Sequence, residues 1–158
     1  MFKIQRFNKK ILNTGLLLLF CLLVFPEYIC AQSTAEEIES LLNTNSITYA
    51  QAARFTLEAS GVLAVNPIEA FNTAIQRGWL PGNTSASDSA RLDNICFLLM
   101  NSFNIKGGIM YSFFKNPRYA YREFLYMNII QGRVDPMMNV SGDMLLFYIN
   151  LLLIMSEQ

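Results

Sequence analysis

The chain contains no histidine, and this absence limits the chemistry that it can perform. Without an imidazole, none of its 158 residues can supply the commonest general base, the commonest metal ligand or the usual partner of a nucleophilic serine or cysteine. Zinc would have to be held by carboxylates alone, which it rarely accepts. No glycine-rich phosphate-binding loop is present either. We therefore predict a protein with no catalytic residue, no metal site and no cofactor.

Cysteine is also scarce, because the chain has only Cys21, Cys30 and Cys96. The first two lie in an N-terminal segment that we predict to be removed, so the remaining chain cannot form an intrachain disulfide. Cys96 lies in the apolar run 95–100 and is interpreted as a small core residue rather than a nucleophile. A small exported domain without disulfides must be stabilised by apolar packing instead.

The N-terminal segment has the pattern of a secretory signal peptide. Residues 1–10 carry basic side chains and no acid, residues 15–25 are apolar and uncharged, and Ala31 supplies a small residue for cleavage. The apolar run is shorter than the roughly 20 residues that cross a bilayer. We expect a signal peptide over 1–31 and a single helical domain over 32–158. An uncleaved membrane anchor is the alternative.

Charge is sparse after this cleavage. Eight basic and eleven acidic side chains remain, a net charge of −3, which excludes a general nucleic-acid binder and a polybasic stripe for anionic lipid. Most of the acids lie at predicted helix starts, where they favour the helix dipole. A carboxylate-dependent hydrolase remains an alternative, and its candidate residues are Asp88, Asp93, Glu123 and Asp135.

Capping patterns predict short helices along nearly the whole of the remaining chain. Residues 34–37 and 48–51 are capping boxes. Asn66 and Asn116 each precede a proline at the first helical position, which is a strong start signal. Serines are predicted to cap the two remaining long helices, and they are Ser87 or Ser89 for the first and Ser141 for the last.

The ends of these helices are predicted from glycines and from the spacing of apolar residues. Gly78 is expected to end the helix that Asn66 opens, with Ile68, Phe71, Ala74 and Ile75 on its buried face. The helix from Asn116 is expected to run to about Ile130, with Gly132 as its stop, and the serine-capped helix to about Phe103. Residues 109–114 are expected to be helix or turn, with a strand left open.

Two parts of the chain follow one plan, with units at about 46–105 and 109–155. In each, a helix opened by Asn-Pro ends at a glycine, and a serine follows nine residues later, which pairs Gly78 with Gly132 and Ser87 with Ser141. The helix that begins at Thr48 is a third, partial copy. Chance agreement of apolar positions competes with this interpretation.

The pattern resembles the S-layer homology repeat. Residues 47–54 (ITYAQAAR) look like the opening of its second helix, and residues 74–80 (AIQRGWL) and 129–135 (IIQGRVD) look like ends of its first helix. The resemblance implies short helices packed in repeats and used as a docking surface. In that family, an arginine and a loop aspartate help to hold an acidic cell-wall polysaccharide. Here the arginine position is Tyr49 and the following glutamate position is Gln51, which puts those contacts in doubt.

Basic and aromatic side chains alternate between Lys106 and Met127, and they suit an anionic glycan, a lipid headgroup or an acidic protein. Arg118 and Arg122 share a helix face because they lie four residues apart. The alternative is that the aromatics form core and the arginines are solvated or paired with Glu123 and other acids. The candidate binding residues are Trp79, Lys115, Arg118, Tyr119, Tyr121 and Arg122.

The sequence thus predicts an all-α protein, a compact bundle of about six short helices in degenerate helix-turn-helix repeats. We expect an exported, non-catalytic binding or scaffolding domain in the periplasm or cell envelope. Its expected partners are cell-wall glycan or an envelope protein, and not nucleic acid. A membrane would be involved only through an uncleaved N-terminal segment.

Overall fold

A computed structural model describes residues 35–62 and 66–156. Within these residues the protein is all-α, as predicted, and its only extended pairings are two isolated bridges. The chain divides into two compact units, residues 1–40 and 41–158. The helices are α1 at 35–42, α2 at Tyr49–Ala59, α3 at Pro67–Gln76, α4 at Leu92–Ser102, α5 at Ile109–Phe113, α6 at Pro117–Tyr126 and α7 at Gly142–Ser156. The predicted signal peptide and the cap at Thr34 lie outside the described residues.

Local capping starts three of these helices. The Thr48 hydroxyl accepts from the backbone N–H of Gln51, and the Gln51 side chain accepts from the backbone N–H of Thr48, which completes the predicted capping box. The side chains of Asn66 and Asn116 each cap a helix whose first residue is proline. These starts are as predicted because each depends on residues within one helical turn.

Two predicted boundaries are wrong. Neither Ser87 nor Ser89 caps α4, because its N-cap is Arg91, which makes no side-chain capping bond. The second error concerns α6, which ends at Tyr126 rather than near Ile130. The reversal comes early because Asn128 adopts a left-handed backbone with φ of 56°. Asparagine tolerates this conformation better than most residues, so the chain turns four residues before Gly132.

Several local features of the described residues recur at one separation along the chain. Corresponding points lie 50 positions apart, which pairs Pro67 with Pro117 at the helix starts and Gly78 with Asn128 at the left-handed reversals. The starts of α4 and α7 at Leu92 and Gly142 have the same separation. The predicted pairing of Ser87 with Ser141 used a separation of 54 and is corrected.

A ring of three backbone hydrogen bonds joins the segments that precede α2, α4 and α7. The N–H of Ile47 donates to the carbonyl of Val140 at 2.9 Å, the N–H of Val140 to the carbonyl of Ala90 at 2.9 Å, and the N–H of Ala90 to the carbonyl of Ile47 at 2.8 Å. All three residues are fully buried. The segments that lead into the three helices therefore meet at one buried point.

The core fills the space between these helices. Leu92, Ile95, Cys96 and Leu99 of α4 are fully buried, as predicted. Leu145, Tyr148, Ile149 and Leu152 form the predicted buried face of α7, and Phe71 and Ala74 that of α3. Ile68 is a wrong prediction, since 55% of its surface is exposed. Among the described residues, no helix has both the length and the apolar character needed to cross a membrane.

Candidate functional site

The first turn of α4 places a charged pair at the surface. Arg91 has extended backbone angles at the N-cap position, and its side chain makes no capping bond but reaches forward to Asp93. One guanidinium nitrogen, Nη2, lies 2.7 Å from Oδ2 of Asp93. The other carboxylate oxygen accepts from the backbone N–H of Asn94 at 2.8 Å. Asp93 is thus engaged at both oxygens, whereas the guanidinium keeps free donors.

A buried polar contact lies next to this pair. The side-chain amide of Asn94 donates to the Tyr49 hydroxyl at 2.6 Å, and the backbone N–H of Arg91 donates to the same oxygen at 3.3 Å. Tyr49 and Asn94 are both buried. This contact fixes the start of α2 against the start of α4, and therefore fixes where Arg91 can reach.

Helix α6 brings two more arginines to the same region. Arg118 and Arg122 are exposed on one face, and Tyr121 between them is buried. The Tyr121 hydroxyl donates to the carbonyl of Val134, which ties α6 to the loop before α7. Burial raises the pKa of the Tyr121 phenol, with smaller contributions from Cys96 and Asp135, so it stays a neutral donor at physiological pH.

These elements enclose a cavity of about 360 Å³, which we call the arginine groove. Three guanidinium groups and one carboxylate border it. Neither Arg118 nor Arg122 forms an ion pair with a carboxylate of residues 35–62 or 66–156, and both are exposed, which fits the solvated arginines of the alternative rather than pairing with Glu123. The groove therefore carries excess positive charge. Its lining residues are Arg91, Asp93, Arg118, Tyr121, Arg122, Pro136 and Met137.

A second cavity, of about 590 Å³, shares Arg91, Asp93 and Arg118 with the arginine groove. Its lining also includes Asp88, so two candidate hydrolase carboxylates border one space. Oδ2 of Asp88 accepts from the backbone N–H of Ser85 at 3.1 Å. Both carboxylates thus have structural partners, while Asp135 and Glu123 line neither cavity.

The structure brings together half of the predicted binding residues. Arg118, Tyr121 and Arg122 line the arginine groove, whereas Trp79, Lys115 and Tyr119 line neither cavity. Tyr119 stacks on Phe114 with ring centroids 5.9 Å apart. Trp79 is half-buried at the turn after α3, and the guanidinium of Arg77 lies 4.8 Å from its ring centre. Lys115 is exposed before α6.

Sequence reasoning did not identify Arg91 as a site residue, and it named Asp93 only as a candidate hydrolase carboxylate, not as a neighbour of Arg118 and Arg122. The signal that could have found Arg91 is the separation of 50 residues between the two Asn-Pro starts, which aligns Arg91 with Ser141. That alignment puts an arginine at a helix N-cap, where serine, threonine, aspartate or asparagine is usual. A non-capping cation at such a position indicates a side chain with another role.

The arrangement is suited to holding an anion. Arg118 and Arg122 are exposed and border one cavity, and guanidinium groups bind carboxylate or phosphate through paired donors. In the described part of the chain, no three of Asp, Glu or Cys are grouped to hold a metal ion. Burial raises the pKa of the Cys96 thiol well above its usual value, and Asp93 adds to this.

Comparison with protein-family models, curated proteins and solved structures found no match.

Proposed function

We propose that this protein is an exported, non-catalytic binding domain of the bacterial cell envelope, and that the arginine groove holds an anionic group of cell-wall glycan or of an envelope protein. One observation carries the proposal: Arg91, Arg118 and Arg122 border a single cavity in which Asp93 is the only carboxylate. Export is inferred from the N-terminal sequence pattern.

The unbalanced charge favours a ligand of opposite sign. Asp93 is occupied by Arg91, so Arg118 and Arg122 have no carboxylate partner among the described residues. An incoming anion that accepts hydrogen bonds from the exposed guanidinium groups of Arg118 and Arg122 supplies the missing negative charge. The volume of about 360 Å³ is at the small end of ligand pockets, which suits one charged sugar or one acidic side chain.

The same contacts favour binding over turnover. General acid or base catalysis needs a carboxyl that is within reach of the substrate and able to exchange a proton. Asp93 is held by Arg91 and by the backbone of Asn94, and Asp88 caps its own loop at Ser85. Because Asp88 and Asp93 border one cavity, a carboxylate-dependent hydrolase is the second candidate function. An uncleaved N-terminal anchor, which would make the protein membrane-associated, is the third.

The test is sedimentation of the full chain with purified, protein-free cell-wall glycan. The variant Arg118→Gln/Arg122→Gln removes two groove cations, and Arg54→Gln/Arg77→Gln removes the same charge from helix surfaces that line neither cavity. We expect the groove variant to bind about tenfold or more weakly and the control to bind like wild type, because charged hydrogen bonds contribute roughly 1.5–3 kcal/mol. Equal binding by the two variants would contradict the proposal.

Two further measurements separate the other candidates. If the protein is a hydrolase, it will release new reducing ends from the glycan, and Asp88→Asn/Asp93→Asn will abolish this release. If the N-terminal segment is an uncleaved anchor, the protein will stay with membranes after carbonate extraction. Binding without release of reducing ends, together with a fully soluble product, supports the first proposal over both alternatives.

A further inference from the structure

Helix α5 presents apolar side chains to solvent on a short projecting turn. Tyr111 is its only buried residue and anchors it, with the ring edge-on to Phe97 at a centroid distance of 6.4 Å. The outward residues form what we call the apolar knob, and their exposed fractions are 76% for Ile109, 59% for Met110, 78% for Phe113 and 58% for Phe114. Single exposed apolar residues are ordinary, but four large ones within six positions mark an interaction surface.

The charge around the apolar knob is mainly positive. Residues 94–122 contain four basic side chains and no aspartate or glutamate. Arg118 and Arg122 belong to the arginine groove, whereas Lys106 and Lys115 are exposed on either side of α5. The acid nearest to α5 in the chain is Glu123 of α6, whose carboxylate lies beside Gly108. The two lysines that flank α5 in the chain therefore outnumber the one carboxylate beside its start.

We propose that the apolar knob inserts into the surface of an anionic lipid bilayer, with Lys106 and Lys115 at the level of the headgroup phosphates. This contact is separate from the arginine groove and from the N-terminal segment, and it adds a second surface to the proposed function. Lysine suits this position because its long apolar stem can lie along the acyl chains while its charged ammonium group remains at the level of the headgroup phosphates.

The shape of α5 favours lipid over a protein partner. The four outward side chains of this five-residue segment each expose more than half of their surface, so the described residues form no groove around them. A protein would need a preformed concave pocket to receive it, whereas the interface of a bilayer accommodates large apolar side chains without one. Two flanking cations supply the electrostatic attraction that makes such shallow insertion specific for anionic lipid.

The test places a reporter on the knob of the full-length chain. Trp79 is the only tryptophan, so Phe113→Trp adds one emitter at the tip of α5. The matched control Ile68→Trp adds one at an exposed apolar position of α3, where Ile68 is 55% exposed. Each protein is mixed with vesicles of brominated phosphatidylglycerol and phosphatidylcholine in equal parts. Bromine quenches tryptophan only within the acyl region, so vesicle binding through another part of the chain does not produce the signal.

We expect quenching of Phe113→Trp well beyond that of wild type, and none beyond wild type for Ile68→Trp. Adding Lys106→Gln/Lys115→Gln to Phe113→Trp should raise the lipid concentration for half-maximal quenching by roughly fivefold for each lysine removed. Phe113→Trp quenched no more than Ile68→Trp would overturn the proposal and leave a protein as the occupant. Equal quenching on vesicles of phosphatidylcholine alone would overturn the anionic assignment.

Discussion

The side-chain amide of Asn94 donates a hydrogen bond of 2.6 Å to the hydroxyl of Tyr49, a residue 45 positions earlier in the chain. Both side chains are buried, so neither can turn to water if its partner is removed. Because Tyr49 opens α2 and Asn94 lies in the first turn of α4, this one contact sets the spacing of two helix starts. It also lies directly beneath Arg91, whose backbone N–H donates to the same hydroxyl.

Removing the Tyr49 hydroxyl should cost stability through the partner it leaves behind. In Tyr49→Phe the amide of Asn94 stays buried without an acceptor, and we expect the free energy of unfolding to fall by about 1–3 kcal/mol. Urea unfolding of Tyr49→Phe, Asn94→Ala and the double variant measures this. A double variant that is less destabilised than the sum of the single changes shows the coupling. Strict additivity would show that the two side chains do not depend on each other.

Gly142 should tolerate no side chain. A Cβ at this position would lie 1.8 Å from the backbone carbonyl oxygen of Leu41, and backbone cannot move aside as a flexible side chain can. The N–H of Gly142 also donates to the carbonyl of Thr44 at 2.9 Å, which fixes the close approach. We expect Gly142→Ala to lower the free energy of unfolding by about 3 kcal/mol or more.

The control for this change is Gly82→Ala. A Cβ at Gly82 would meet nothing within 4 Å. Thermal unfolding should therefore show Gly82→Ala within about 0.5 kcal/mol of wild type. If both variants unfold at the same temperature, the contact at Gly142 is not the constraint described above.

Gly78 should respond to alanine more strongly than Asn128, although both occupy left-handed positions. Their φ angles are 68° and 56°, and a Cβ in this region costs about 1–2 kcal/mol, a cost that Asn128 already bears. We expect Gly78→Ala to lose about 1 kcal/mol of unfolding free energy, Asn128→Ala to lose less, and Asn128→Gly to lose none. Chemical denaturation of the three variants checks this, and a loss on Asn128→Gly would mean that the asparagine side chain has a role of its own.

Alkaline pH should destabilise the protein between about pH 10 and pH 12. Burial raises the pKa of Tyr111 and of Tyr148 from 10.0 to about 12. Below pH 10 these phenols are protonated in both the folded and the unfolded chain. As the pH rises above 10, the unfolded chain releases protons that the folded protein retains, so the unfolded state is favoured.

Over this pH range the free energy of unfolding should fall by on the order of 2 kcal/mol for each of the two phenols, since burial raises the pKa of each from 10.0 to about 12. Urea midpoints measured across the range report it, and near-ultraviolet absorbance follows tyrosinate formation. Replacing Tyr148 with phenylalanine should reduce the pH dependence by the share of that one phenol, and the rest should remain because burial also raises the pKa of Tyr121 and of Cys96. An unfolding midpoint that does not change with pH in this window would contradict the buried positions of both rings.

The fold was predictable where its signals are local. Thr48, Asn66 and Asn116 cap their helices with side chains that reach three residues forward, so the sequence is enough to find them. The start of α4 was not predictable in this way, since Arg91 makes no capping bond and its position depends on a hydrogen-bonded ring with distant segments. The end of α6 was missed because glycine was expected at the reversal and Asn128 performs it.

The candidate site was half predictable for a related reason. The spacing of Arg118 and Arg122 places both on one face of α6, which a sequence shows directly. Their meeting with Arg91 and Asp93 requires α4 and α6 to pack side by side, and nothing in a local window reports that. The exposure of Phe113 beside the buried Tyr111 is likewise a tertiary fact, because both are aromatic residues of the same short helix.

The hydrogen-bonded ring of Ile47, Ala90 and Val140 can form only when a long part of the chain is present. Consecutive residues of the ring are about forty to fifty positions apart in the chain, and two of the three segments cannot form the ring without the third. Repeats in an open stack can be trimmed one by one because each contacts only its neighbours. Here a fragment that stops before Val140 lacks both the acceptor for the amide of Ile47 and the donor to the carbonyl of Ala90, so the ring can form only in a chain that extends past Val140.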